Sequence, residues 1–470
     1  MDHFFRRLRN PNLSAQAAMM ILSRCGVPKL NYRLRCTPPS CIAAHATAMD
    51  ETVLTTTAAL LDLIKQQGQQ PEVVAQLQAP LRCGGYGLTS AAQASPIAYY
   101  SSVVSCLSMP HISQAAQSWS STASALASSS AQPCMLQQHV DQCLTTIRAN
   151  ITGNDGKLLR TDLVPSSASE IIPHYQQHQK VKPFVQQEVT TIIHKRQLQA
   201  AIAKAEAEED ETTLARLLGV TAPGASVWLT TAPTTPALSL TNSEYQICSK
   251  LRLGLPPLPL PSDCASCNSQ DACASDPLHP LVCTGQKGRT ITARHHMTVD
   301  PLYVSTIHAG GLAIKEPTHL SGNGDHTRPD LQLVLNGRQV LVDVTIRHPG
   351  CKTNILHGSA RQQLAAAHKG EAEKKAKYAA MAKAQQASFI PFAVETYGGL
   401  GKSARKLINQ IVAAAEDQQQ LLSSEEIRKE LTGSVAIAVQ KGNAKILLAE
   451  YHRAVSGAAR YGKGMAAFTA

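Results

Sequence analysis

The sequence predicts an α+β chain of several domains, in which a helical N-terminal region leads to a small cysteine/histidine module and then to a core with the element order αβββαβ. Three observations carry that expectation. Apolar residues recur at helical spacing through most of the first 220 positions. A cluster of cysteines with one histidine occupies 264–283. An Asn-Gly dipeptide at 336–337 sits between two apolar runs that are flanked by helix-period stretches. A chain of 470 residues accommodates two or three domains, so each stretch is read by itself.

Residues 1–130 are rich in Ala, Leu, Ser and Gln. Leu54, Ala58, Leu61 and Ile64 share one helical face, and Pro38-Pro39 and Pro71 interrupt the pattern, so a helical bundle is expected. Within it, 118–130 is a Ser/Ala low-complexity stretch that reads as a loose connection. Residues 131–220 resume the helical period as a connector, with the acidic run 206–211 on its solvated face. Residues 221–261 are Thr/Pro-rich and end in Leu-Pro-Pro-Leu-Pro-Leu-Pro, whose missing amide donors stop helix and sheet alike, so a linker and domain boundary are expected there. The cysteine/histidine module then occupies 262–285, the α/β core 286–420 and a C-terminal extension 421–470, the last reading as helix, a strand-like run from Val435 to Val439, and helix again.

Lys and Arg outnumber Asp and Glu by 44 to 33, a net charge of +11 and a pI near 9.0, which favours polyanionic partners such as nucleic acid. Thirteen scattered cysteines, an odd number, argue against a disulfide framework and for a reducing compartment. The basic opening Met1-Asp-His-Phe-Phe-Arg-Arg has no apolar run behind it and reads as the start of an amphipathic helix rather than a secretory leader. No run of about 18 uncharged apolar residues occurs, so no membrane partner is expected.

In the module, Cys264-Ala-Ser-Cys267 and His279-Pro-Leu-Val-Cys283 form a C-x2-C and an H-x3-C pair. Each short spacing lets two ligands grip one side of an ion from a tight turn. Three thiolates and an imidazole suit tetrahedral Zn²⁺, with no position left open, so a structural zinc knuckle is expected. The polar residues between the pairs make a loop too small to bury a core, which metal would fold. Cys273 lies inside it and could replace one ligand.

In the core, Pro329-Asp330 precedes one apolar run and Asp343-Val-Thr345 ends the other, so pairing about Asn336-Gly337 brings Asp330 and Asp343 to one end of a hairpin. Two carboxylates there could share a hard divalent cation, Mg²⁺ or Mn²⁺, of the kind that activates water and neutralises a scissile phosphate. A helical stretch at 291–309, a strand at 312–319, the hairpin, a basic helix at 359–386 and a strand at 389–395 complete the order αβββαβ, that of the PD-(D/E)xK nuclease core. Thr345 stands where that superfamily usually keeps a lysine. Lys374, Lys375 and Lys377 follow on the helix, where a lysine could aim an ammonium at the same phosphate, and Arg294-His295 on the first helix could touch phosphate. Gly398-Gly-Leu-Gly-Lys402-Ser403 looks like part of a phosphate-binding loop, but Thr396 takes the place of the first glycine and no nucleotide site is expected.

Taken in order, Cys264 to Cys283, Arg328-Pro-Asp330, Asp343-Val-Thr345, Lys374-x-x-Lys377-Tyr378 and Phe392-Ala-Val-Glu395-Thr resemble the C-terminal region of non-LTR retrotransposon proteins that carry a restriction-like endonuclease. Upstream, Arg24-x-x-Val-Pro-Lys-Leu-Asn-Tyr and Pro80-Leu-Arg-Cys-Gly-Gly-Tyr-Gly-Leu88 resemble the thumb segment behind the reverse-transcriptase palm, although no Phe-x-Asp-Asp or adjacent Asp-Asp precedes them and polymerisation is not expected. The resemblance implies a restriction-endonuclease-like fold and metal-dependent nicking of target DNA in the nucleus, to prime reverse transcription, with element RNA as a further partner. It assigns metal binding to Asp330 and Asp343 and catalysis to Lys374 or Lys377. Glu395 and Tyr378 become supporting groups. The alternative is a nucleic-acid-binding remnant that grips without cutting.

Overall fold

A computed structural model of the chain describes residues 2–107, 109, 135–153, 156–181, 184–286, 288–320, 328–417 and 422–460. The expected loose connection at 118–130 lies outside them. The protein is mixed α and β, mainly helical, and none of the described helices is long and apolar enough to cross a membrane.

By contact the chain divides into two units, one of Met1–Asn10, Ile21–Ala59 and Leu63–Ala201, the other of Pro11–Met20, Leu60–Asp62 and Ile202–Ala470. The first is helical. Its core joins Ile97, Tyr100 and Val104 of the helix Ala91–Cys106 to Val140, Leu144, Ile147 and Ile151 of Met135–Ile151 and to Val185, Val189 and Ile193 of Val185–Ala207. Those apolar residues recur every three or four positions, so each helix buries one stripe. The buried Tyr175 hydroxyl is satisfied within the same core by donating to the Leu163 carbonyl at 2.6 Å. One core therefore spans the boundary expected near 130, and the division of the chain falls at 201/202 instead of 220.

The second unit holds every chemistry-bearing motif of the C-terminal half. Its long segment from Ile202 includes α1 (Glu211–Val220), whose N-cap Asp210 accepts from the Thr213 amide at 2.9 Å. The acidic run therefore does not lie along one helix. It ends one helix at the left-handed Glu209 and caps the next. The stretch expected as a linker is also structured: α2 (Asn242–Leu253) starts with a capping box between Thr241 and Glu244 and buries Tyr245 against Trp228. Thr/Pro content misled because Trp228, Tyr245 and Leu251 supply burial enough to fix the segment, whereas 256–261, where the prolines concentrate, has no regular structure.

The core follows as α3 (Thr290–His308), β1 (Leu312–Lys315), β2 (Leu331–Leu335), β3 (Arg338–Arg347), α4 (Ala365–Ala384), β4 (Ser388–Glu395), α5 (Lys402–Asp417) and α6 (Ser424–Arg460). The strands form one sheet in sequence order, antiparallel from β1 to β3, with β4 added parallel to β3 after the α4 crossover. The Asn336-Gly337 turn is as expected: both residues take positive φ, 49° and 71°, which a two-residue hairpin turn of matching twist requires. Strand β1 is shorter than the predicted 312–319, because Glu316 adopts a left-handed φ of 45° and Pro317 follows it.

One sheet face, with Leu331, Leu333, Val340, Val342, Val344, Phe392 and Val394, buries itself against α3, α5 and α6. The other, with Leu341, Asp343, Thr345 and Arg347 alternating in between, lies under α4. The strand-like run Val435 to Val439 is helical. α6 passes through it without a break, and Leu431, Val435 and Val439 at four-residue spacing enter the main core. A helix packed on several sides shows a continuous apolar run, which periodicity cannot tell from a strand. The presumed C-terminal extension is thus an integral wall of the core.

Candidate functional site

The hairpin register decides the first site. Leu331 pairs with Val342, so Asp330 and Asp343 each follow that last pair at the open end of the hairpin, close enough for the Asp330 charge to act on Asp343. Asp343 is 3% exposed, and burial, then the neighbouring Asp330 charge, raise its pKa, with Lys374 opposing the rise. The Lys374 ammonium lies 2.6 Å from Asp343 Oδ2. Asp330 Oδ2 accepts from the Val344 amide at 2.6 Å and from His295 Nε2 at 3.0 Å, while the same ring nitrogen is 3.2 Å from the Val344 carbonyl. Two acceptors on one nitrogen make Nε2 the protonated one. Burial pulls the His295 pKa down, but Asp330, Asp343 and the Val344 carbonyl together hold it above its ordinary value.

Helix α4 reaches the sheet because Gly370 has no side chain. A Cβ there would stand 3.0 Å from Thr345 Cγ2 and 3.2 Å from Arg347 Nε. Its inward face then delivers Lys374 and, one turn on, Tyr378, which is buried, stacks on Phe389 and donates to the Arg328 carbonyl at 2.7 Å, bracing the segment that carries Asp330. Lys377 is exposed and turned away, its ammonium 5.0 Å from the centre of the Tyr378 ring. Of the two lysines, Lys374 is the one brought to the acids.

Glu395 is not brought there. Pro391 pairs with Asp343, and Glu395 lies four residues further along β4, about 13 Å away. Its carboxylate, 1% exposed, instead accepts from the Ala367 amide in the first turn of α4, and burial pushes its pKa up to about 7. Arg294 does not reach solvent either. It is buried, donating to Asn443 Oδ1 at 2.9 Å and to the Leu281 carbonyl at 3.3 Å, and burial lowers its pKa to about 10. The glycine-rich loop before α5 holds an anion of the protein's own: Glu371 accepts from the Ser403 amide at 2.8 Å and its hydroxyl at 3.0 Å. Arg347, which the sequence reading passed over, stands on the face of Asp343 with its guanidinium bonded to Thr345 at 3.1 Å and to Glu373. Its position two and four residues beyond Thr345 and Asp343 on one strand was the available signal.

The second site is the cysteine/histidine cluster. Ligand atoms of Cys264, Cys267, His279 and Cys283 all lie within 4.8 Å of one another. Thiolates bound about 2.3 Å from one tetrahedral centre stand about 3.7 Å apart. Cys264 and Cys283 sulfurs are 3.7 Å apart, and Cys267 Sγ is 3.4 Å from His279 Nε2. The group could thus hold a metal ion such as zinc. The chain turns tightly to build it, with left-handed Asn268 and Asp271 after the first pair, and Gly285 lets the second loop pass the first, since a Cβ there would meet the Cys267 amide at 3.1 Å. A hydrogen bond with Ser269 leads the effects that lower the Cys267 pKa to about 6, toward the thiolate a metal needs.

No family model matches this chain, and no curated protein matches it in sequence. Its reading therefore rests on the two sites.

Proposed function

We propose that the second unit is a metal-dependent DNA endonuclease resembling those of non-LTR retrotransposons, with nuclear target DNA as substrate, element RNA as a further partner and priming of reverse transcription as the use of the nick. The observation that carries the reading is the meeting of the Asp330 and Asp343 charges at the open end of the hairpin, with the Lys374 ammonium 2.6 Å from Asp343. Two like charges, one of them nearly buried and raised in pKa first by that burial and then by the other charge, make a place where a divalent cation would relieve both the desolvation and the repulsion. Asp330 and Asp343 would hold Mg²⁺ or Mn²⁺, which supplies a polarised water and charge neutralisation at phosphate when bound.

The chain's own groups do the rest. The Val344 amide and His295 fix the Asp330 carboxylate, and Tyr378 fixes the segment before it. Lys374, which here pairs with Asp343, would be the ammonium that donates to a phosphate oxygen on which charge develops. Arg347, its side chain 27% exposed, adds a second cation along the same face. The zinc-type cluster fixes a polar loop of the same unit and offers a further contact to nucleic acid.

Thr345 in the usual lysine position favours a second reading, in which the protein grips nucleic acid without cutting it. Incubation of supercoiled plasmid with the full chain and Mg²⁺ separates the two. Nicking that disappears with EDTA and in Asp343→Ala is the expected result; salt-sensitive binding without any metal-dependent nick would overturn the nuclease reading.

A further inference from the structure

Beside the four-ligand cluster lies a second group that shares one of its sulfurs. Cys264 Sγ, Cys273 Sγ and a carboxylate oxygen of Glu450 stand within 4.8 Å of one another, and all three residues are buried. Glu450 comes from α6 and is 0% exposed. Its Oε2 accepts from the Ser266 hydroxyl and from Gln286 Nε2 at 3.0 Å, with the Arg453 guanidinium 3.7 Å off. Its Oε1 has no hydrogen-bond partner among the described residues.

A carboxylate oxygen sealed from water without a donor is costly, and protein interiors rarely tolerate one. Charge makes the case stronger. One divalent ion on Cys264, Cys267, His279 and Cys283 leaves three thiolates against two positive charges. The buried Glu450 adds another negative charge, and Arg453 at 3.7 Å offsets only one of the two then outstanding. A cation among Cys264, Cys273 and Glu450 would neutralise the outstanding charge, and a carboxylate with one oxygen lacking a donor has lone pairs left to give it. Sulfur in the ligand set selects a soft or borderline metal over Mg²⁺ or Ca²⁺.

We propose that the cysteine cluster is a two-metal centre, in which the Cys264 thiolate bridges the four-ligand ion to a second Zn²⁺-type ion held by Cys273 and Glu450. Each thiol that becomes a ligand releases its proton to solvent, and nothing is oxidised or reduced. The second ion has three protein ligands, leaving one position for water, and it ties the module to α6. The proposal is independent of the nuclease reading.

The test is metal stoichiometry on the full chain, reconstituted with Zn²⁺ in excess Mg²⁺ and dialysed before elemental analysis, then repeated with ¹¹³Cd²⁺ for cadmium NMR. Two zinc ions per chain are expected, with two cadmium resonances in the thiolate-bound range. Cys273→Ser should lose one ion while keeping the far-ultraviolet helix signal, as should Glu450→Gln, and Asp343→Asn should keep both. A single ion in the unmodified chain would overturn the proposal, as would two ions that both persist in Cys273→Ser. If Glu450→Gln does not fold, those two outcomes still decide.

Discussion

Replacing Lys374 by Met removes the ammonium 2.6 Å from Asp343 and leaves a side chain of similar length. What remains is a carboxylate 3% exposed, facing Asp330 with no cation of its own. Breaking a buried pair from one side costs about 3–5 kcal/mol. Here the Lys374 side chain is 24% exposed, so water reaches the gap and we expect about 2–3 kcal/mol. In a unit of this size that lowers the melting temperature by roughly 5–10 °C. The sign with pH follows from Asp343. Burial and Asp330 already raise its pKa, and losing Lys374 raises it further. A carboxyl whose folded pKa lies above its unfolded value contributes stability that is full below about pH 4 and is lost as pH rises through the folded value. The variant should therefore nearly match the unmodified chain near pH 4 and fall furthest behind at pH 7–8. Combining it with Asp343→Asn isolates the pair. With no charge left to strand, the double variant should recover about 2 kcal/mol relative to the sum of the singles in urea denaturation. A melting temperature unchanged at pH 7.5, or strict additivity, would refute the pairing on which the site is built.

Two further outcomes follow from the packing. Gly442→Ala should destabilise by about 3 kcal/mol in urea melts, although Ala is the better helix former by about 1 kcal/mol, because a Cβ there would collide with Arg294 Cγ and stand 2.6 Å from its Cβ. A variant as stable as the parent would show that α3 and α6 are not in that contact. For Glu395, a rise from 4.5 to about 7, at about 1.4 kcal/mol per pH unit, gives about 3 kcal/mol of stability that is present below about pH 4.5 and lost above about pH 7. Glu395→Gln should flatten that decline and be the more stable protein at pH 8, and a pH profile parallel to the parent's would contradict it.

The local signals in the sequence were enough wherever one short segment fixes the geometry. Asn336-Gly337 set the hairpin and hence brought Asp330 and Asp343 to its open end, and the C-x2-C and H-x3-C spacings set the cluster. Legibility failed where burial by distant residues decides. Nothing local says that residues 227–253 fold, because Trp228 and Tyr245 are held by each other and by α6. Nor does the sequence say that Arg294 is spent inside the core on Asn443, 149 positions away, rather than offered to phosphate. Glu395 was misassigned for a related reason. Its distance from Asp343 depends on the parallel register of β3 and β4, which the intervening crossover leaves unspecified.

The buried carboxylates of the second unit differ in what answers their charge, and the difference bears on where cations belong. Glu244 faces the Thr241 amide at its own N-cap, Glu371 the first turn of α5, and Glu395 the first turn of α4. Each meets amides at the positive end of a helix, a partner fixed by the backbone that no ligand need replace. Asp343 and Glu450 have no such partner. Asp343 is met by a lysine side chain and opposed by a second carboxylate, and Glu450 lies beside two sulfurs with one of its oxygens lacking a donor. Glu395 also keeps one oxygen without a donor, but its other oxygen is anchored on a helix start, whereas on the proposals above Asp343 and Glu450 would each be completed by a cation, hard at the hairpin and soft at the cysteines. Exchanging those preferences, with Mg²⁺ retained at the cysteines or Cd²⁺ retained in a chain lacking them, would show that the donor atoms are not what selects the ion.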